Sequence, residues 1–100
     1  MKIYKDAFNF KDRVALVTGA GGGIGREIAK GFASCGANVI VASRNMSNLN
    51  DTIKELSVYE GEHTAISVDV TNIDSINAMI YEINSKYGKI DFLSNHAGMN

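Results

Sequence analysis

The feature that most constrains this chain is a cluster of glycines between an apolar run and a helix-like stretch. Residues 18–25 read TGAGGGIG and contain five of the ten glycines of the chain. Residues 14–17 before them are apolar, and Ile24, Ile28 and Phe32 follow at helical spacing. Glycine lets the backbone turn sharply and approach an anion, which the N–H groups at the start of a helix attract. This order of strand, glycine turn and helix predicts a phosphate-binding site rather than a flexible linker.

The spacing of the glycines narrows the choice of phosphate-binding motif. The common dinucleotide pattern G-x-G-x-x-G/A fails from each start, because its sixth position falls on Ile24, Arg26 or Ile28. A P-loop also fails, since no Gly-Lys pair followed by Ser or Thr is present. Residues 18–25 do fit T-G-x-x-x-G-x-G, which resembles the compact branch of the short-chain dehydrogenase/reductase family. They also fit T-G-x-x-G-x-x-G of its extended branch, so the glycines alone do not separate the two.

Strands and helices are predicted to alternate along the whole chain. The apolar runs predict four strands, at residues 13–18, 38–43, 63–70 and 90–94. The intervening helices are predicted over about 23–35, from an N-cap at Ser47 to Gly61, and from Thr71, with Asp74 in the capping-box position, to Gly88. This β-α-β-α-β-α-β order predicts an α/β fold, a Rossmann-type doubly wound parallel sheet with strand order 3-2-1-4.

The apolar residues of the helices define the expected core. Besides the stripe of the first helix, two more stripes have helical spacing: Leu49, Ile53 and Leu56, then Ile73, Ile76, Ile80, Ile83 and Tyr87. Residues 1–11 are expected to form an arm from which Phe8 and Phe10 pack under the sheet.

Composition excludes several classes of protein. A chain of 100 residues makes one domain at most, and its net charge of -1 gives no case for nucleic acid or an anionic membrane as partner. The single cysteine cannot form an internal disulfide, which suits a reducing compartment. No signal peptide and no run of membrane-spanning length are visible. We therefore expect a soluble cytoplasmic protein.

The residues after the second strand indicate which nicotinamide cofactor is used. Ser43, Arg44 and Asn45 include no carboxylate, which would bind the ribose 2′-hydroxyl of NAD. The planar guanidinium of Arg44 suits a 2′-phosphate, which favours NADP while NAD stays possible. A solvated arginine at a strand end is the alternative. In the family, a basic residue before the second motif glycine also marks NADP, and Gly22 stands there.

Two further stretches extend the resemblance to residues 10–98. By resemblance, Asp69 accepts a hydrogen bond from the adenine amino group and Val70 packs on the ring; alternatively, Asp69 and Thr71 only cap the next helix. Residues 95–98 read NHAG and resemble the NNAG motif of the compact branch. The resemblance implies that Asn95 ties the fourth strand to its neighbours and lines the cofactor site.

The residue after Asn95 departs from the family pattern. His96 replaces the second Asn of the motif, and we interpret it as a structural residue rather than a general base. The resemblance implies that Ala97 and Gly98 let the nicotinamide ribose approach the backbone. We also expect a side chain at Gly19 or Gly25 to collide with the pyrophosphate or with the adjoining strand.

The motifs together predict fourteen cofactor-binding residues. They are Gly19, Gly21, Gly22, Gly23, Ile24, Gly25, Ser43, Arg44, Asn45, Asp69, Val70, Asn95, Ala97 and Gly98.

The catalytic residues of the family are not found in this chain. The family uses a serine and a Tyr-x-x-x-Lys pair, and no tyrosine here has lysine four residues later. We expect a partial NAD(P)-binding domain without its catalytic half. The resemblance implies that the whole protein is a homo-oligomeric oxidoreductase that transfers hydride between the nicotinamide and a small carbonyl or alcohol substrate. A non-catalytic nucleotide-binding module and an inactive truncated fragment stay open as alternatives.

Overall fold

The computed structural model describes residues 9–96, in which strands and helices alternate strictly. The strands are β1 (Val14–Thr18), β2 (Asn38–Ser43), β3 (Thr64–Ser67) and β4 (Phe92–Asn95), and the helices are α1 (Gly23–Ser34), α2 (Met46–Leu56) and α3 (Ile73–Tyr87). All strand pairs are parallel, in the order β3-β2-β1-β4. The predicted Rossmann-type sheet is therefore confirmed. No helix within the described residues is long and apolar enough to cross a membrane.

The two central strands are buried because helices cover both faces of the sheet. Every residue of β1 is buried, as its continuous apolar run predicts. Successive side chains of a strand point to opposite faces. Val17 and Val41 accordingly pack toward α1 and α2, whereas Leu16 and Ile40 pack toward α3. The site described below lies where these buried strands end.

Helix α1 contacts the sheet through small residues rather than through its large apolar ones. Its buried residues are Gly25, Ala29 and Ala33, whereas Ile24 is 64% exposed. The predicted stripe was thus wrong at Ile24, because the face of small residues lets the helix lie close to the sheet. Phe32 packs at the side of this contact, half-buried.

Three phenylalanine rings pack together on the face of the sheet that α1 covers. The ring of Phe32 stacks on Phe92 with centroids 5.3 Å apart, and Phe10 lies 4.9 Å from Phe92. Phe10 therefore packs under the sheet as predicted. Phe8, the other phenylalanine predicted there, lies outside the described residues.

The helix starts differ from the prediction. Asn45, not Ser47, is the N-cap of α2, since its side chain accepts a hydrogen bond from the N–H of Asn48 at 3.1 Å. Likewise Asn72, not Thr71, is the N-cap of α3. An N-cap residue has an extended backbone and a short side chain whose oxygen accepts a hydrogen bond. Asparagine meets both conditions, so it serves as an N-cap as well as the expected Ser and Thr.

Two helix ends were also predicted. Helix α2 ends at Leu56 rather than near Gly61. The end of α3 is as predicted, because Gly88 adopts the left-handed conformation at φ 76° after its last turn.

The outer strands are shorter than predicted. In addition, the face of the sheet on which α3 packs is less covered than the face on which α1 and α2 pack. Strand β3 pairs only over Thr64–Ser67, because β2, its partner, ends at Ser43. In α3, Met79 and Ile83 are buried whereas Ile80 is 45% exposed. Leu93 of β4, on the same face of the sheet, is 66% exposed. Of the described helices, α3 alone packs on this face and leaves its β4 side open.

Candidate functional site

A cleft of about 940 Å³ opens where β1 and β2 end. It lies at the carboxyl edge of the parallel sheet, where ligands bind in doubly wound folds. Its lining residues are Gly19, Gly21, Gly22, Gly23, Ile24, Gly25, Ala42, Ser43, Arg44, Asn45, Asn48, Val68, Val70 and His96. The glycine turn and the residues after β2 therefore share one cavity, although they are far apart in the sequence.

Two of the predicted cofactor residues that the structure describes are not part of this lining. Asp69 and Asn95 lie beside it, and Ala97 and Gly98 lie outside the described residues. Conversely, sequence reasoning missed Ala42, Val68 and Asn48. The first two look like ordinary strand residues, and nothing in the local sequence distinguishes Asn48 from a surface residue of α2.

The turn between β1 and α1 requires glycine at particular positions. Gly19 and Gly23 have left-handed backbones, with φ 69° and 57°. A Cβ at Gly25 would lie 2.3 Å from the carbonyl oxygen of Gly19. The expected collision at Gly25 is thus with the turn itself, not with the adjoining strand, because α1 begins directly against the turn.

The start of α1 is open toward the cleft. Its N-cap is Gly22, which supplies no side chain, and an added Cβ there would meet no atom of residues 9–96 within 4 Å. No acidic residue lies in the first turn of the helix. The N–H groups and the positive end of the helix therefore face a space that suits an anion.

The other side of the glycine turn is bonded by one side chain of α1, Arg26, and one of α2, Thr52. The Arg26 guanidinium donates to the carbonyl oxygen of Gly21 at 2.6 Å and to the Thr52 hydroxyl at 2.8 Å. The Thr52 hydroxyl donates in turn to the carbonyl oxygen of Ala20 at 2.7 Å. Glu55 forms an ion pair with Arg26 at 3.1 Å. Sequence reasoning did not single out these side chains, because they meet only in the folded structure.

Arg44 supplies the positive charge of the cleft. Its side chain is exposed, lines the cleft and forms no ion pair within residues 9–96. Ser43 beside it is half-buried and accepts a hydrogen bond from the N–H of Asn45 at 3.3 Å. Among the described residues, no carboxylate lines this part of the cleft. A ligand phosphate near Arg44 would therefore be attracted by its guanidinium, although the carboxylate of Asp69 lies close enough to interact with the same charge.

Asp69 is held in a tight turn next to the cleft. Its Oδ1 accepts hydrogen bonds from the Thr71 hydroxyl at 2.6 Å and from the Thr71 N–H at 3.0 Å. These bonds, and more weakly the charge of Arg44, lower the pKa of Asp69 below its ordinary value. Thr71 therefore orients Asp69 and does not cap α3. The neighbours Val68 and Val70 form the apolar wall of the cleft.

The end of β4 is joined to the end of β1. Thr18 Oγ1 donates to Asn95 Oδ1 at 2.6 Å, and the His96 N–H donates to the carbonyl oxygen of Thr18 at 3.0 Å. The His96 ring bonds Ser94 through Nε2 at 2.6 Å, while its buried Nδ1 has no partner among the described residues. The NHAG stretch thus begins beside the glycine turn.

Comparison with known proteins agrees with this arrangement. The sequence model of the short chain dehydrogenase family matches residues 13–100. The 7alpha-hydroxysteroid dehydrogenase of Escherichia coli (strain K12) is 38% identical over 93 residues, which are 93% of this chain and 36% of that protein. The chain therefore spans a little over a third of the length of this curated relative.

Solved structures superimpose well on the same residues. A hydroxysteroid dehydrogenase from Escherichia coli has a TM-score of 0.85 at 36% identity and covers 91% of this chain and 39% of its own. The L-sorbose reductase from Gluconobacter frateurii, solved in complex with NADPH and L-sorbose, has a TM-score of 0.86 at 30% identity. That match covers 92% of this chain and 35% of the reductase.

Proposed function

The chain belongs to the short-chain dehydrogenase family, and we propose that it forms the NADP-binding part of an oxidoreductase. The whole protein would transfer hydride between the nicotinamide and a small carbonyl or alcohol substrate. The observation that carries this proposal is the cleft in which the glycine turn, the start of α1 and Arg44 converge. The NADPH found in the L-sorbose reductase supports the choice of cofactor.

The diphosphate of the cofactor would bind at the glycine turn. The residues fit this group, because Gly22 leaves the start of α1 open and no acidic side chain stands in its first turn. The N–H groups there donate to an anion without a side chain in the way. Ile24, which is 64% exposed and lines the cleft, would shield one side of the bound diphosphate from water.

The adenosine end would lie between Arg44 and the residues after β3. Arg44 would pair with the 2′-phosphate, and Ser43 and Asn45 present no charge that repels it. Val68 and Val70 offer an apolar surface to the adenine ring. Asp69, kept ionised by its bonds with Thr71, would accept a hydrogen bond from the adenine amino group.

The nicotinamide end would lie toward β4. Asn95, Ala97 and Gly98 are proposed to line it, with Asn95 oriented by its bond with Thr18. When bound, the nicotinamide supplies the hydride chemistry, and the protein supplies orientation and proton transfer. We place the proton-transferring residues outside this chain, because no tyrosine in it has lysine four residues later. His96 is proposed to be structural, as its ring nitrogen already bonds Ser94.

Direct titration tests the proposal. The purified whole protein, rather than this chain alone, is titrated with NADPH and with NADH, and cofactor oxidation is then followed with a panel of aldehydes and ketones. Tighter binding of NADPH together with turnover is the expected result. Binding without turnover of any substrate would favour a non-catalytic nucleotide-binding module. Binding of neither cofactor would contradict the proposal.

A further inference from the structure

The glycine turn has a second side, which the cofactor would not touch. On this side the carbonyl oxygens of Ala20 and Gly21 accept hydrogen bonds from Thr52 at 2.7 Å and from Arg26 at 2.6 Å. Thr52 belongs to α2, and Arg26 of α1 also donates to the carbonyl oxygen of Asn48 in α2 at 3.2 Å. The orientation of two consecutive peptide groups in the turn is therefore set by one side chain of α1 and one of α2.

Because each peptide unit is rigid, fixing the direction of its carbonyl also fixes the direction of its N–H group. A peptide unit is planar and trans, so its carbonyl and its N–H point in opposite directions. The carbonyl of Ala20 shares a peptide unit with the N–H of Gly21, and the carbonyl of Gly21 shares one with the N–H of Gly22. Holding the two carbonyls toward Thr52 and Arg26 turns both N–H groups away from these side chains, and Gly21 and Gly22 line the cleft.

We propose that Arg26 and Thr52 are positioning residues that orient the N–H groups of Gly21 and Gly22 for a bound diphosphate. The inference rests on the proposed NADP site and deepens it. Neither side chain is among the residues that line the cleft, so both would act through the glycine turn. They would thus affect only ligands that carry a diphosphate.

The two side chains are themselves held firmly. Thr52 is completely buried, and its hydroxyl both accepts from Arg26 and donates to Ala20. The Arg26 side chain is 24% exposed and is paired with Glu55 at 3.1 Å. A planar guanidinium can bond the turn, the hydroxyl and the carboxylate at once, which the single ammonium of lysine cannot do in the same geometry.

Helix α1 also offers a matched control. Lys30 pairs with the other oxygen of Glu55 at 3.3 Å and is 30% exposed, close to the exposure of Arg26. Among the described residues, Lys30 bonds only Glu27 and Glu55 and does not reach the glycine turn. The variant Lys30→Met therefore removes a comparable charge and ion pair while leaving the turn untouched.

The test compares two ligands that differ in the diphosphate. Dissociation constants for NADPH and for adenosine 2′-phosphate, which has no diphosphate, are measured by calorimetry with the purified protein. The variants are Arg26→Met, Thr52→Val and Lys30→Met, with Thr52→Ser as the conservative replacement that keeps the hydroxyl. Circular dichroism checks that each variant is folded. If one of the variants is unfolded, the affinities of Arg26→Lys are measured in its place, since lysine keeps the charge but cannot make the same set of bonds.

The proposal predicts a selective loss. Arg26→Met and Thr52→Val should weaken NADPH binding by about tenfold or more, as expected for lost orientation of charge-assisted hydrogen bonds. Binding of adenosine 2′-phosphate should be unchanged, and Thr52→Ser and Lys30→Met should bind both ligands as the unmutated protein does. Equal losses for both ligands, or no loss at all, would overturn the positioning role. Failure of the proposed function is distinguishable, because the unmutated protein would then bind neither NADPH nor NADH.

Discussion

The Thr18 hydroxyl donates a 2.6 Å hydrogen bond to Asn95 Oδ1, across the paired ends of β1 and β4. The two residues are 77 positions apart in the sequence. Thr18 is also the residue at which the glycine turn begins. The bond therefore couples the part of the proposed site that would hold the diphosphate to the part that would hold the nicotinamide.

Arg44 should determine the choice of cofactor. We expect NADPH to bind about ten- to a hundredfold more tightly than NADH, because one charge-assisted contact with the 2′-phosphate raises the affinity by about that factor. Arg44→Ala should remove most of this margin, as measured by fluorescence titration with both cofactors. Arg13→Ala is the control, since Arg13 is also an exposed cation but lies at the opposite edge of the sheet, where it pairs with Asp91. Equal affinities of the unmutated protein for the two cofactors would refute this prediction.

Two glycines of α1 should respond to alanine in opposite ways. At Gly25 a Cβ would lie 2.3 Å from the Gly19 carbonyl oxygen, so Gly25→Ala must displace the turn. We expect it to lower the free energy of unfolding by about 1–3 kcal/mol and to abolish NADPH binding. At Gly31 an added Cβ would meet no atom of the described residues within 4 Å apart from the backbone of its own helix, so Gly31→Ala should raise the free energy of unfolding by about 0.5–1 kcal/mol. Urea denaturation measures both, and undiminished NADPH binding by Gly25→Ala would show that the turn is not the phosphate site.

The pKa of Asp69 should depend on Thr71. The Thr71 hydroxyl is the largest cause that lowers this pKa below its ordinary value of 3.8, so Thr71→Val should raise it. The rise should be partial, because the Thr71 N–H still donates. A lowered folded-state pKa stabilises the protein above the unfolded pKa, and this stabilisation is lost as the pH falls through the folded value. Thr71→Val should therefore flatten the acid limb of the stability curve below about pH 4.

Carboxyl NMR titration checks this prediction with an internal control. The pKa of Asp91 is also lowered, chiefly by the N–H of Val14, and Thr71→Val leaves that contact intact. The pKa of Asp91 should therefore stay where it is. An unchanged pKa of Asp69 in the variant would contradict the assigned cause.

The open side of the α3 face should promote self-association of the chain expressed alone. Leu93 is 66% exposed there and Ile80 45%, and β4 is an edge strand of the described sheet. Leu93→Ser should shift the sedimentation profile of residues 1–100 toward the monomer. Val58→Ser serves as control, because Val58 is 77% exposed but lies beyond the end of α2, away from this face. A monodisperse monomer of the unmutated chain would contradict the prediction.

Local periodicity was sufficient to predict the architecture. Alternating apolar runs and helical stripes predicted four strands and three helices, and the parallel order 3-2-1-4 is confirmed. Motif spacing likewise indicated the family and most of the residues that line the cleft. These features are readable because each depends on residues a few positions apart, which share a strand face, a helix face or a turn.

Tertiary contacts decided what this local information leaves open. The sequence by itself determined that residues 18–25 form a glycine turn before a helix, because glycine and helical spacing act locally. Only the folded chain decided that Gly25, Ala29 and Ala33, rather than Ile24, face the sheet, because the helix must approach the sheet closely. It also brought Arg26 against Thr52, 26 residues away on another helix. Spacing along the chain cannot encode that meeting, since it depends on how two helices pack on the same sheet.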